Sequence, residues 1–409
     1  MKQDTLSRKQ EIGGLYGYRV IMSLIVANYH IWQQGWLTQG FHLFGKWISY
    51  DYITRTGYMM VDGLILLSGF LMFLPHARCM LDGSQPPKTI PFYIKRLARI
   101  VPSNLVAVLA ALFFIALPQK LYHSPQVMWK DLISHLTFTQ TFFFQPYQAT
   151  HLNGVLWTLC IEMQLYLMFP LIAGCARKKP GLTLGAMAAL GWLYRAIVYF
   201  KVPDTGMYIN QTPAFLDVYA LGMLGAMIYV RLRRWLDDHQ DWRKWLVHGG
   251  AVLVLAFGLV FVSAVLKNQS RMATNGGLSA LRLGQLSHRL SLTSGLMCCI
   301  LGLAFLPRPL EWLFGNRLMK FLAEISFNFY IWHQILAVQM ASHWFGYDAL
   351  HSTPGLQKAF TLLCFAVALV VAMAATYGVE KPAAELIQKW MKQWERKKND
   401  ERPQTDNPQ

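Results

Sequence analysis

Charge is scarce in this sequence and unevenly divided: of 409 residues only 14% are Asp, Glu, Lys or Arg, and 38 cations face 21 acids. Such a chain, 54% hydrophobic and of positive mean hydropathy, is too apolar for a single water-facing core. Cysteine is scarce too. The six are scattered, with only Cys298 and Cys299 adjacent, which excludes a disulfide framework and offers no zinc-ligand spacing. There is no repeat of fixed period and no second soluble domain, and no appended extracytoplasmic transferase domain is expected. The first apolar run is followed by WQQGWLTQ, without a small-x-small cleavage site, so it is expected to remain as a helix.

What the chain does have is a series of apolar runs of about 20 residues, the length that crosses a ~30 Å hydrocarbon core. Ten candidate spans fall at about 15–34, 57–74, 101–118, 154–173, 182–200, 213–230, 247–266, 290–306, 321–341 and 357–377. The fold expected is all-α, a polytopic transmembrane helical bundle. A net charge of +17 would suggest nucleic acid in a soluble protein. Here the basic residues gather in short loops, as the positive-inside effect requires, so membrane lipid is the expected partner and nucleic acid is not. This orientation puts both termini in the cytoplasm, with residues 1–14 as a cytoplasmic segment and 15–381 as the membrane domain. Residues 382–409 form a basic amphipathic stretch that turns polar and disordered on the inner surface. The loop after the seventh span fits least well, being outside on this orientation yet carrying Lys267, Arg271, Arg282 and Arg289.

The polar residues inside the spans carry the chemistry. In LYGYRVIMSLIVANYHIW, Leu15 to Trp32, Arg19 and His30 are eleven residues apart, three helical turns, so they share a face and lie roughly 16 Å apart along the axis. Ionisable groups in a span are costly, and they usually face a bundle interior or a watery cavity. The segment IPFYIKRLARIVP follows the second span, with Lys95, Arg96 and Arg99 after Pro91. Arg96 and Arg99 share a helix face and make a bidentate phosphate clamp, or else an anchor for anionic lipid. In the fourth span Glu162 and Tyr166 are four apart. Such a carboxylate orients an imidazole, binds a polar substrate, or pairs with an Arg as a structural acid. The ninth span carries Glu324 and His333, and a lone histidine there fits a hydrogen-bonded bundle residue as well as a catalyst. Arg195 in the fifth span is a candidate partner for Asp217 in the sixth.

From Leu15 to Lys381 the chain resembles the acyltransferase-3 superfamily of integral membrane O-acyltransferases. That family has an Arg, ten residues, then a His in its first helix, and Arg19 and His30 keep the spacing. Its Arg-x-x-Arg matches Arg96 and Arg99, and its second-helix signature matches VDGLILLSGFL with Asp62. LWTLCIEMQLYLMFP, with Glu162 and Tyr166, is similar to its fourth-helix segment, and ISFNFYIWHQ and VEKPAAEL to its last two helices. Tyr16, Thr158 and Phe215 stand where the family often has an acid, a Ser and an Arg.

The resemblance implies transfer of an acyl group, acetyl by preference, from cytoplasmic acyl-coenzyme A to a hydroxyl of a cell-surface or lipid-linked glycan or small glycoside. It implies a bacterial cytoplasmic membrane and no tightly bound cofactor. Arg19, Arg96, Arg99 and Lys95 would hold the donor's phosphates. His30 would act as general base, with Glu162 orienting it; a covalent acyl-histidine is the variant mechanism. The loop from Pro118 to Asn153, with TFFFQPYQAT, His123, His135 and His151, offers either an acceptor surface or an interfacial aromatic belt. The residues themselves also fit a transporter or flippase of glycolipid or small acid, or a membrane scaffold without catalysis.

Overall fold

The computed structural model describes residues 11–239 and 241–400; the residues before Glu11 and after Asp400, where the chain's two ends were expected to be cytoplasmic, lie outside them. The longer helices are α1 (Gly14–Gly35), α2 (Met60–Asp82), α3 (Thr89–Ala111), α4 (Pro125–Leu136), α5 (Trp157–Lys178) and α6 (Pro180–Lys201). They are followed by α7 (Leu216–Asp238), α8 (Arg243–Ala304), α9 (Arg317–Met340), α10 (Pro354–Ala375) and α11 (Lys381–Asp400). A short antiparallel hairpin, β1 (Gly40–Leu43) and β2 (Lys46–Ser49), follows α1. Each of the ten expected spans falls on a helix, and the protein is a polytopic membrane bundle. Among the described residues, seven helical stretches are long and apolar enough to cross a membrane, with the whole of α8 counted as one. Neither α1 nor α9 is among the seven. These two polar-loaded helices pack against each other.

The tightest crossing is α2 on α7. A Cβ at Gly222 would stand 2.3 Å from the Leu66 carbonyl oxygen, and one at Gly69 would stand 2.6 Å from that of Tyr219. Small residues at such crossings let backbones approach where no hydrophobic drive separates protein from lipid. The buried face of α2 meets α7 with Leu66 and Phe70, and that of α5 contributes Leu159, Leu165 and Phe169 to the same core.

The expected outer loop over 267–289 is instead helical. The segment contains no proline, so both arms of α8 stay helical up to Gly277, whose φ of 65° glycine adopts without penalty; there the chain reverses and the second arm packs back along the first, Gly258 against Gly295 and Gly302 against Ala251. This corrects the reading of Arg289 as a loop residue. Its guanidinium is fully buried: Nε donates to Asp62 (3.1 Å), Nη1 to the Ile209 carbonyl (2.8 Å) and Nη2 to Asn210 (3.3 Å), and Cζ sits 4.0 Å over the Phe215 ring. Arg195 pairs with Asp217 through both guanidinium nitrogens and donates to the Ala214 carbonyl at 2.9 Å, an oxygen that also lies 3.4 Å from Arg289. Two buried ion pairs thus meet at one backbone oxygen. Arg282 pairs with Asp204, and the Lys267 ammonium lies 5.1 Å over Tyr52.

At the hairpin end, Asp131 on α4 organises the loop between Pro118 and Asn153. Its carboxylate accepts from Tyr122 (2.7 Å), Thr150 (3.0 Å) and the His151 backbone amide (3.1 Å), and it lies 3.2 Å from His135. Burial and this carboxylate push the Tyr122 phenol up from its ordinary value. His135 is therefore a packed residue of this network, while Phe142, Phe143 and Phe144 stay exposed.

Removing one partner of a buried pair leaves an uncompensated charge, at a cost of about 3–5 kcal/mol. Asp62→Leu is expected to destabilise the purified protein on that scale by thermal unfolding in detergent, and Asp62→Leu with Arg289→Met to recover most of it. An additive double variant would show that the two groups do not share one interaction.

Candidate active site

A cavity of about 290 Å³ opens between α1, α2, α3, α5 and α9. Three guanidiniums line it: Arg19 from α1, and Arg96 and Arg99 from α3. The α3 pair projects from one face because the two are three residues apart. Arg99 lies 3.6 Å from Glu380, at the end of the α10 span, and 5.3 Å over the Phe327 ring. Asn328 donates to the other Glu380 oxygen at 2.7 Å, fixing the carboxylate that fixes Arg99. Arg96 rests 5.7 Å over the Tyr166 ring and 5.9 Å over Phe92, and its Nε has no hydrogen-bond partner. Neither Arg19 nor Arg96 has a carboxylate in ion-pair contact among the described residues.

The acid in the cavity wall is Glu162. It accepts a short hydrogen bond from the Tyr166 hydroxyl, one turn along α5, and lies 3.5 Å from Ser68 Oγ. Three cations with one acid, itself engaged by a phenol, make a cavity with net positive charge in an apolar setting. Guanidiniums in such a setting suit a polyanion with oxygens to share.

His30 lies three turns from Arg19 on α1, beyond the cavity wall. Ser23 lines the cavity between them, and α9 runs alongside, contributing Ser326, Phe327 and Tyr330 to the cavity and Gln334 to His30. His30 Nδ1 is 2.9 Å from Gln33 Oε1 and 3.1 Å from Gln334 Nε2. Gln33 Nε2 donates to the Tyr29 hydroxyl at 3.0 Å, which turns its amide oxygen toward the imidazole. The shorter contact, to the Gln33 oxygen, selects the tautomer with the proton on Nδ1 and leaves Nε2 as the base; the Gln334 amide nitrogen then packs beside Nδ1 without donating to it. That assignment comes from the hydrogen-bond network. His333 is buried 5.2 Å from His30 between ring centroids, and its Nδ1 donates to the Tyr330 carbonyl at 2.6 Å.

The structure brings Arg19, Arg96, Arg99, Glu162 and Tyr166 around one cavity and sets His30 and His333 side by side above it. It does not join Glu162 to His30. The polar contacts to His30 come from Gln33 and Gln334, while Glu162 lines the arginine cavity and accepts from Tyr166. Lys95 is exposed and lines a vestibule of about 390 Å³ that shares Leu71, Met72 and Arg96 with the cavity. Asp62 is outside the cavity, bound to Arg289. Sequence reading missed Gln33, Gln334, Ser68 and Glu380. Gln33 had a signal, being three residues after His30 on the same face; the others come from helices distant in sequence.

The family model described as an acyltransferase domain matches residues 12–377. Nodulation protein 10 of Rhizobium leguminosarum bv. viciae is 23% identical over 356 residues, covering 80% of this chain and 84% of that protein. O-acetyltransferase OatA of Staphylococcus aureus is 22% identical over 326 residues, 74% of this chain and 49% of OatA. The putative O-acetyltransferase SACOL0978 of the same species is 21% identical over 346 residues. The chain spans about half the length of these staphylococcal relatives. No solved structure matches. With a polytopic helical bundle, and a match over almost its whole length, this chain belongs to the acyltransferase-3 family and is a membrane acyltransferase.

Proposed function

We propose that the protein moves an acyl group from acyl-coenzyme A to a hydroxyl of a cell-surface or lipid-linked glycan or small glycoside, in the cytoplasmic membrane of a bacterium. Acetyl is the preferred group, since the relatives are named O-acetyltransferases. The observation that carries the reading is the arrangement along α1: an arginine-lined cavity at one level and a base with a free nitrogen roughly 16 Å further on by helix rise. A charged nucleotide cannot cross the bilayer, whereas the thin pantetheine arm of the donor can pass between helices. The phosphates stay with Arg19, Arg96 and Arg99 and the thioester reaches His30.

In the transfer, His30 Nε2 takes the proton of the acceptor hydroxyl as its oxygen attacks the thioester carbonyl. The carbon–sulfur bond breaks, and the departing thiolate recovers that proton from the imidazolium. Gln33 accepts from Nδ1–H and holds the ring, Gln334 packs beside it, and His333 walls the far side. Glu162 balances the arginine charge and sets Tyr166 beneath Arg96.

Loss of the base is expected to cost about 10²–10⁴-fold. His30→Ala should lower kcat on that scale, measured as release of free coenzyme A by protein that still purifies as a monodisperse species. Activity near the wild-type level would make His30 a packing residue. Arg96→Ala with Arg99→Ala should raise KM for acyl-coenzyme A far more than for the acceptor; equal effects would indicate a role in folding or lipid anchoring. Gln33→Leu is expected to lower kcat with little change in KM for either substrate, because the ring loses its fixed tautomer and not its contacts to the donor.

A further inference from the structure

Three recesses adjoin at the Arg96 end of the bundle. The vestibule already described, lined by Lys88, Lys95 and Arg96, touches a narrow slot of about 110 Å³ with which it shares His76, Pro87 and Phe92. The slot in turn shares Pro170, Gly174 and Arg177 with an open recess of about 510 Å³ that ends at Lys178. Five cations line this continuous surface, and no Asp or Glu does.

The slot has a different character from the recesses on either side. Rings line one side of it as a packed cluster: Phe92 and Phe169 touch with centroids 5.1 Å apart, His76 meets Phe169 edge-on at 5.5 Å, and Phe73 stacks on the other side of His76. His76 is 9% exposed, and its Nδ1 has no hydrogen-bond partner. A buried imidazole nitrogen left unpaired costs free energy unless something supplies the bond. A ring-lined slot, a histidine in its lining and neighbouring cations together match a planar nitrogen heterocycle carrying phosphates. The slot is too small for a whole nucleotide and suits its base; the recesses beside it have room and charge for the sugar phosphates. A lipid headgroup would satisfy the cations and leave the ring-lined slot without an occupant.

We propose that the slot lined by His76, Phe92 and Phe169 receives the purine base of the acyl donor, with Lys88, Lys95 and Arg177 around its ribose 3′-phosphate and the pyrophosphate left to Arg19, Arg96 and Arg99. This rests on the donor being acyl-coenzyme A. It makes the donor site bipartite: the slot grips the base and 3′-phosphate, and the inner cavity grips the pyrophosphate and the start of the arm that carries the thioester.

The experiment compares two donors in purified full-length protein in detergent free of anionic lipid: acyl-coenzyme A, and acyl-pantetheine, which has the arm and no nucleotide. A Cβ at Gly174 meets nothing within 4 Å, so Gly174→Phe can fold with its ring in the slot. For Gly174→Phe, and separately for His76→Ala, KM for acyl-coenzyme A should rise roughly tenfold, the scale of one stacked base. Turnover of acyl-pantetheine should stay unchanged. Adenosine bisphosphate should compete with acyl-coenzyme A much better than inorganic pyrophosphate does, and lose that advantage in both variants. An unchanged KM for acyl-coenzyme A, a parallel loss with both donors, or equal inhibition by the bisphosphate and pyrophosphate would each overturn the assignment. Wild-type protein that turns over neither donor would instead overturn the donor reading itself, and the slot assignment with it.

Discussion

Cations buried in an apolar bundle without acids of their own are the constraint around which this molecule is arranged. The desolvation of a guanidinium is expensive, and proteins meet it with a carboxylate, a set of carbonyls, aromatic faces, or a ligand. Arg195 and Arg289 use the first three: Asp217, Asp62, the carbonyls of Ile209 and Ala214, and the ring of Phe215. Arg19 and Arg96 use none of the first, and they face a cavity. The bundle therefore contains two classes of arginine, one buried that closes the fold and one partly exposed to a cavity that stays available to an anion.

This difference also explains the placement of the acids. Asp62 and Asp217 are committed to structure, and Glu380 is divided between Arg99 and Asn328. Glu162 touches Tyr166 and Ser68, moderating the positive field without cancelling it. The imidazole sits away from all of them and is held by neutral amides. A carboxylate at Nδ1 would hold His30 as an imidazolium ready to form; an amide holds the neutral base and fixes only its tautomer.

Much of this was legible in the sequence because it lies within single helices. The apolar runs located every span, and the eleven-residue interval between Arg19 and His30, the three between Arg96 and Arg99 and the four between Glu162 and Tyr166 each fixed a shared face. Local spacing says nothing of which faces meet. The pairing of Arg289 with Asp62 joins residues 227 positions apart, and the contact of Gln334 with His30 joins residues 304 apart. The expected contact of Glu162 with His30 is not seen for the same reason: depth in a span does not specify direction. The helical arms on either side of the turn at Gly277 were obscured by their basic residues, which resemble a loop until their partners Tyr52, Asp204 and Asp62 are known.

The central claim is that one extended thioester spans from the arginine cavity to the imidazole. Structure determination of the protein with a non-transferable thioether analogue of acyl-coenzyme A tests it most directly. The account predicts phosphate density against Arg19, Arg96 and Arg99, with the acyl carbon within reach of His30 Nε2. Phosphates bound elsewhere, or an acyl group ending in the cavity with closed helices between it and His30, would contradict it.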